Sequence, residues 1–317
     1  MKKDHPTFIG IGVRKAGTTW LHSQFNRHSD VYTPVMKELQ YFSRSPDKYP
    51  QLPSRLGVDS VTERLYGNSE AAKAWQKHFK HFLNINKQNN KVFNFNKHQD
   101  FFNCYFGDYS LDRYKSMFQN SGDRISGEIT PAYAALDRAD IAAIKKFLPD
   151  VKIILLLRNP VDRFWSELRA AYSREQIKIA DEPVDRLMTK LKWEPFHYPD
   201  IVENWRSQFD DDHFFIGFYE EISKAPEALL DRLADFLQLD RSAGWPNASK
   251  VVHATAQTRQ MPEEVERILI RKYLDGRRGC HNCWADMRPG GMKQRKSGLK
   301  NLQPDGMIVS PVSLPPT

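Results

Sequence analysis

The clearest apolar run in the chain is Ile153-Ile154-Leu155-Leu156-Leu157, bounded by Lys152 and Arg158. Five consecutive apolar residues between charges predict a strand buried on both faces, as in the interior of a parallel sheet. Three further strands are predicted: Thr7 to Val13, Ile125 to Glu128, and the aromatic, β-prone stretch His213 to Tyr219. Between them, apolar residues recur at helical spacing. Trp20, Leu21, Gln24 and Phe25 predict a helix from Thr18 to about His28, and Ala71, Ala74, Trp75, Phe79 and Phe82 predict another over 70–83. Further helices are expected near Ala139 to Leu148, from Pro160 onward, at Pro226 to Leu237, and from about Pro262, where Val265, Ile268 and Leu269 share one face. Residues 43–69 read as an irregular excursion and the Asn-rich stretch 84–103 as a loop.

Strands separated by helical stretches predict an α/β fold: a doubly wound, mostly parallel sheet with helices on both faces in a single domain, residues 1–275. In such sheets a ligand sits in the crevice beyond the carboxyl ends of the strands. Lys15, Glu128, Arg158 and Tyr219 all fall at or just past those ends. The segment 276–317 is rich in Gly, Pro, Arg and Lys and keeps no apolar period, so it is expected to be a poorly ordered basic tail.

The first strand runs into Gly12-Val13-Arg14-Lys15-Ala16-Gly17-Thr18-Thr19. This is similar to the P-loop pattern of Gly, four residues, Gly, Lys and Ser/Thr, but the lysine lies inside the loop at Lys15, and Thr18 takes its usual place. A strand, a turn and a helix N-terminus still make an anion site, because backbone N–H groups and the helix dipole converge on one spot. A triphosphate with magnesium fits this spacing poorly. A 5′-phosphate bearing one further anionic group fits it well.

The loop resembles the 5′-phosphosulfate loop of sulfotransferases that use 3′-phosphoadenosine 5′-phosphosulfate (PAPS). In Arg158-Asn159-Pro160 through Ser166, Asn159 and Pro160 suit a helix N-cap and first turn, and Ser166 lies about two turns along. The resemblance implies that Arg158 and Ser166 hold the 3′-phosphate, a task for which a planar, permanently charged guanidinium is suited. It implies further that Arg14, Lys15, Ala16, Gly17, Thr18, Thr19 and Trp20 bind the nucleotide, with Lys15 also stabilising the leaving group. Lys37-Glu38-Leu39-Gln40-Tyr41-Phe42 is similar to the Glu, any, His/Gln, aromatic, Phe stretch of the heparan sulfate branch, which makes Glu38 the expected base and places Lys37 and Gln40 at the acceptor. Gly127-Glu128-Ile129-Thr130-Pro131 is similar to the family's Glu-Lys-Thr-Pro stretch. Here Ile129 stands in place of the lysine and removes a cation that heparan enzymes keep near the acceptor. Glu128 is expected either to contact substrate or to orient loops by accepting backbone N–H groups. Family members also close the nucleotide site with a basic loop, here 250–260 with Arg259.

The expected reaction is in-line transfer of a sulfuryl group from PAPS, leaving adenosine 3′,5′-bisphosphate (PAP), to a hydroxyl or amine of a carbohydrate, lipid or small metabolite. Alignment and stabilisation of the leaving phosphate are what the protein must supply. Glu38 would take the acceptor proton, with Tyr41 and Phe42 available to desolvate it. Each assignment has a plain competitor: Lys15 as a solvated loop lysine, Arg158 and Ser166 as surface groups, Lys37 and Glu38 as an exposed pair.

Composition changes this picture little. The 317 residues and 40% apolar content suffice for a core, and the net charge of +8 suits an anionic nucleotide as well as an anionic polymer. Much of the excess lies after Lys250, in a stretch with few acids. No apolar run reaches membrane-spanning length, so a cytoplasmic enzyme is expected. Three cysteines, Cys104, Cys280 and Cys283, make no disulfide framework, and Cys280-His-Asn-Cys283 lacks the second half of a zinc site. Asn247-Ala248-Ser249 matches a glycosylation acceptor only if the chain is secreted. The aromatic residues 93–106 do not alternate with Lys or Arg as nucleic-acid binding requires. Two other classes stay open at this stage: a P-loop small-molecule kinase and a non-catalytic binder of anionic polymer.

Overall fold

A computed structural model describes residues 5–34, 37–43, 61–80 in part, 111–174, 182–187 in part, 197–249 and 260–275. In chain order the described elements are β1 (Phe8–Gly10), α1 (Thr18–Phe25), β2 (Val31–Tyr32), α2 (Val61–Tyr66), α3 (Leu111–Ser116), β3 (Ile125–Ile129), α4 (Arg138–Phe147), β4 (Lys152–Leu157), α5 (Pro160–Arg174), α6 (Tyr198–Arg206), β5 (Phe214–Phe218), α7 (Tyr219–Lys224), α8 (Pro226–Leu237) and α9 (Glu263–Asp275). The chain divides into two units, Met1–Pro262 and Glu263–Thr317. The sheet lies in the first, and α9 is the described helix of the second. The expected loop at 84–103, the closing segment 250–259 with Arg259, and the tail 276–317 with Cys280 and Cys283 lie outside the described residues.

The five strands are all parallel in the order β2-β3-β1-β4-β5. The connection leaving β1 runs to β2 on one side, whereas the chain after β4 continues to β5 on the other. A crevice therefore opens between the ends of β1 and β4, the switch point of a doubly wound sheet. Both strands are central and dry: Phe8 and Ile9 are fully buried, and Ile153 through Leu157 are at most 1% exposed. The apolar run thus behaves as a strand covered on both faces.

Strand β1 is shorter than the expected Thr7 to Val13, yet its alignment with β4 continues beyond it. Ile11 donates to the Ile154 carbonyl at 2.8 Å and Val13 to the Leu156 carbonyl at 3.0 Å. A Cβ at Gly12 would stand 2.7 Å from the Leu156 nitrogen, so the close approach of the two strands excludes any larger residue there. At the other side of the crevice, Asn159 caps α5 as expected: its side-chain oxygen accepts from Val161 N–H at 3.0 Å and Asp162 N–H at 3.3 Å. Among the described residues no helix is long and apolar enough to cross a membrane.

Candidate active site

The loop after β1 begins with a tight turn in which Ala16 N–H donates to the Val13 carbonyl at 3.2 Å. Lys15 (φ 67°) and Gly17 (φ 90°) both adopt the left-handed conformation. Gly17 needs its missing side chain twice over, because a Cβ there would collide with the Ile222 side chain and meet Tyr219 Cδ2 at 3.2 Å. Gly17 then caps α1 without a side-chain hydrogen bond, leaving the helix N-terminus open to an anion. Thr18 is 5% exposed, and the Trp20 indole donates to the Ala248 carbonyl at 2.8 Å, tying the helix to the segment that leads into 250–260. Arg14 is half exposed and pairs with Glu167 of α5 at 3.7 Å.

Arg158 leaves the end of β4 directly beside this loop. Its Nη1 donates to the Lys15 carbonyl at 3.1 Å, and its guanidinium carbon lies 4.0 Å from the centre of the Tyr219 ring. The Tyr198 hydroxyl fixes the Arg158 backbone by donating to its carbonyl at 2.9 Å. Burial pulls the guanidinium pKa below its ordinary value, with Tyr219 and Asp162 partly restoring it. The Nε of Arg158 is buried with no acceptor among the described residues. Ser166, 7% exposed, sits further along α5. The two anion-binding segments expected from sequence are therefore brought together at the switch point, joined by the Arg158–Lys15 contact.

On the other side of the loop, Glu38 (φ 61°) and Gln40 (φ 52°) are also left-handed. With Lys15 they make three of the five non-glycine residues of positive φ among the described residues. Such conformations each cost on the order of 1–3 kcal/mol and persist only where surroundings over-determine them. The determining group is Glu128. This carboxylate, 2% exposed, accepts from the Tyr114 hydroxyl at 2.8 Å, the Tyr133 hydroxyl at 3.0 Å, the Thr130 hydroxyl at 2.7 Å and the Leu39 backbone N–H. Thr130 Oγ1 in turn accepts from Gln40 N–H at 3.3 Å and Tyr133 Oη from Phe42 N–H at 3.4 Å. Burial raises the Glu128 pKa against the opposing pull of these donors. Of the two readings for Glu128, the geometry favours the loop-orienting one, since its oxygens face donors of the fold itself.

Glu38 itself is 41% exposed at the side chain and pairs with Lys37 Nζ at 2.9 Å. That ammonium also donates to Thr19 Oγ1 at 3.0 Å, which ties the Glu38 segment to the helix behind the phosphate loop. Tyr41 and Phe42 pack on each other and on Tyr114. His22, one turn beyond Thr19, has a buried Nε2 without a partner among the described residues. Burial and the nearby Lys37 charge push its pKa down to about 4, against a smaller raising effect from Glu38. Among the described residues no group of His, Cys, Asp and Glu stands close enough to hold a metal.

A family model described as Sulfotransferase family matches residues 6–243, three quarters of the chain and every element from β1 to α8. This chain belongs to the sulfotransferase family. Among curated sulfotransferases, mouse heparan sulfate glucosamine 3-O-sulfotransferase 6 is 28% identical over 148 residues, covering 44% of this chain and 42% of that protein. The match therefore spans less than half of the relative. Among solved structures, a sulfotransferase from Alicyclobacillus acidocaldarius superposes with a TM-score of 0.50 at 20% identity, covering 86% of this chain and 92% of the other. That likeness shows the P-loop-like α/β fold. The sulfotransferase domain from the curacin biosynthetic pathway has a TM-score of 0.42 at 16% identity, with 84% and 97% of the two chains covered.

Two groups of this site carry no sequence signal. Tyr114 and Tyr198 reach Glu128 and Arg158 from distant elements, and nothing local to either marks it as a partner. Lys37 and Thr19 are both expected at the site, but the bond between them, across 18 positions, is not.

Proposed function

We propose that this chain transfers a sulfuryl group from PAPS to a hydroxyl or amine of a carbohydrate, lipid or small metabolite. The observation that carries this reading is the side-by-side placement of two anion sites at the switch point: the α1 N-terminus with Lys15, and Arg158, whose buried Nε has no acceptor among the described residues. A nucleotide with phosphate at both its 5′ and 3′ ends matches two such sites. The loop backbone that would meet the 5′ end is held by Gly17, whose φ of 90° and close packing against Ile222 and Tyr219 exclude a side chain there.

In this reading PAPS, when bound, supplies an activated sulfuryl group and a leaving phosphate. The loop amides, Lys15 and Arg14 hold the 5′ end, where negative charge builds as the leaving bond breaks. Arg158 and Ser166 hold the 3′-phosphate, while Thr18, Thr19 and Trp20 fix the start of α1. Glu38 takes the acceptor proton, and its 41% exposure lets an acceptor reach it. Gln40 and Lys37 border the acceptor side. Glu128 and its hydroxyl partners hold residues 39–42 so that Glu38 faces the phosphate loop across the Lys37–Thr19 bond. The mouse relative's name specifies a glucosamine 3-hydroxyl of heparan sulfate, which supports a carbohydrate hydroxyl as one acceptor class.

The test is transfer from labelled PAPS to a panel of hydroxyl and amine acceptors, with Glu38→Gln as control. Turnover is expected with PAPS, and it should fall by a factor on the order of 10² to 10⁴ in the variant while PAP affinity holds. Phosphoryl transfer from ATP with magnesium in place of sulfuryl transfer, or full turnover by Glu38→Gln, would overturn the reading.

A further inference from the structure

Ile129 ends strand β3 at the position where the stretch it resembles carries a lysine. Its side chain is 1% exposed and packs against Gly10, where an added Cβ would stand 2.9 Å from Ile129 Cγ1. A sulfuryl group in transfer carries negative charge, which a neighbouring cation stabilises. In an in-line transfer the base, the acceptor atom, the sulfur and the leaving oxygen fall in sequence, so the sulfuryl oxygens lie between Glu38 and the phosphate loop.

Lys37 spans that interval. Its ammonium donates to Glu38 Oε1 at 2.9 Å on one side and to Thr19 Oγ1, in the first turn of α1, at 3.0 Å on the other. An ammonium has three donors, and the third has no acceptor among the described residues. The side chain is 21% exposed, open enough for a ligand and enclosed enough to limit screening. The neighbouring imidazole of His22 adds no competing charge at neutral pH, since its pKa is lowered to about 4.

Resting on the donor assignment above, we propose that Lys37 is a catalytic residue that binds the transferring sulfuryl group, taking over from the segment before Glu38 the charge that Ile129 lacks. Its third N–H meets a sulfuryl oxygen while Thr19 holds the ammonium in place. As the sulfur moves, the bond to the 5′-phosphate oxygen breaks and leaves its electron pair there. The bond to the acceptor oxygen or nitrogen forms, and the acceptor proton passes to Glu38. Lys37 neutralises the group in flight throughout, and turning toward that group loosens its pairing with Glu38 as the carboxylate accepts the proton.

PAP differs from PAPS by the sulfuryl group, so the two ligands separate this role from a structural one. Dissociation constants for each are measured by competition, without acceptor, on the full chain and on Lys37→Met and Lys37→Arg. The expected result is a loss of at least tenfold in PAPS affinity for Lys37→Met with a change of less than twofold for PAP, and partial recovery of PAPS affinity in Lys37→Arg. Equal losses for both ligands would make Lys37 a strut of the loop and overturn the proposal, as would unchanged PAPS affinity. If the unsubstituted chain binds neither ligand, the donor assignment itself fails, an outcome distinct from either pattern in the variants.

Discussion

At the scale of single residues, the site depends on groups whose surroundings fix their charge. Arg158 is held by a carbonyl, a ring face and its own burial, and Lys15 contributes both a cation and the carbonyl that positions Arg158. His22 makes a pH prediction possible. Its pKa falls from an ordinary 6.5 to about 4 in the folded chain, so between those values the unfolded chain binds more protons than the folded one. Stability contributed by neutral His22 is complete above pH 6.5 and is lost as pH falls through about 4. The loss should be on the order of 2–3 kcal/mol after allowance for partial exposure. Urea unfolding at pH 7 and pH 4.5 should show a smaller difference for His22→Gln than for the unsubstituted chain. An unchanged difference would remove His22 from the account.

At the scale of elements, the segment 37–42 has no regular structure of its own and takes its shape from β3 and α3. Thr130 and Tyr133 each donate to the buried Glu128 carboxylate while accepting a backbone N–H from that segment. Thr130→Val and Tyr133→Phe should each cost about 1.5–3 kcal/mol, the range for a hydrogen bond to a charged group. Turnover should drop with little change in PAP affinity, since both residues hold the segment that carries Glu38. Calorimetric unfolding together with PAP titration checks this, and a parallel collapse of PAP affinity would contradict it. The same elements show what was legible in the sequence. Strand β4 and helix α8 match their expected limits, because an unbroken apolar run and a Pro-started amphipathic run are local signals. The pair Val31–Tyr32 is two residues long and pairs with Ile125–Ser126 far along the chain, and helices α3 and α7 span only six residues each, too few for a periodicity to announce them. Glu128 was legible as a site-edge carboxylate, but its orienting role depends on Tyr114, which only the fold brings to it.

At the scale of the whole molecule, function follows from strand order. Placing β4 beside β1 sets Arg158 against the Lys15 carbonyl across 143 positions of sequence, and the family match over residues 6–243 covers that arrangement entirely. The motifs on either side were readable because each is compact and chemically constrained. Their meeting at one crevice followed from alternating strands and helices rather than from any single residue. The net charge of +8 adds a general attraction for anions and does not discriminate among them. Discrimination therefore tests the central claim most directly, as the difference in melting temperature produced by PAP and by AMP in the unsubstituted chain and in Arg158→Ala. At a hundredfold excess over its dissociation constant PAP should stabilise the chain by about 2.7 kcal/mol, with AMP at equal concentration giving much less, and Arg158→Ala should erase the difference between them. Equal shifts from PAP and AMP in the unsubstituted chain, or a difference that survives Arg158→Ala, would contradict a two-phosphate donor site built from these two strand ends.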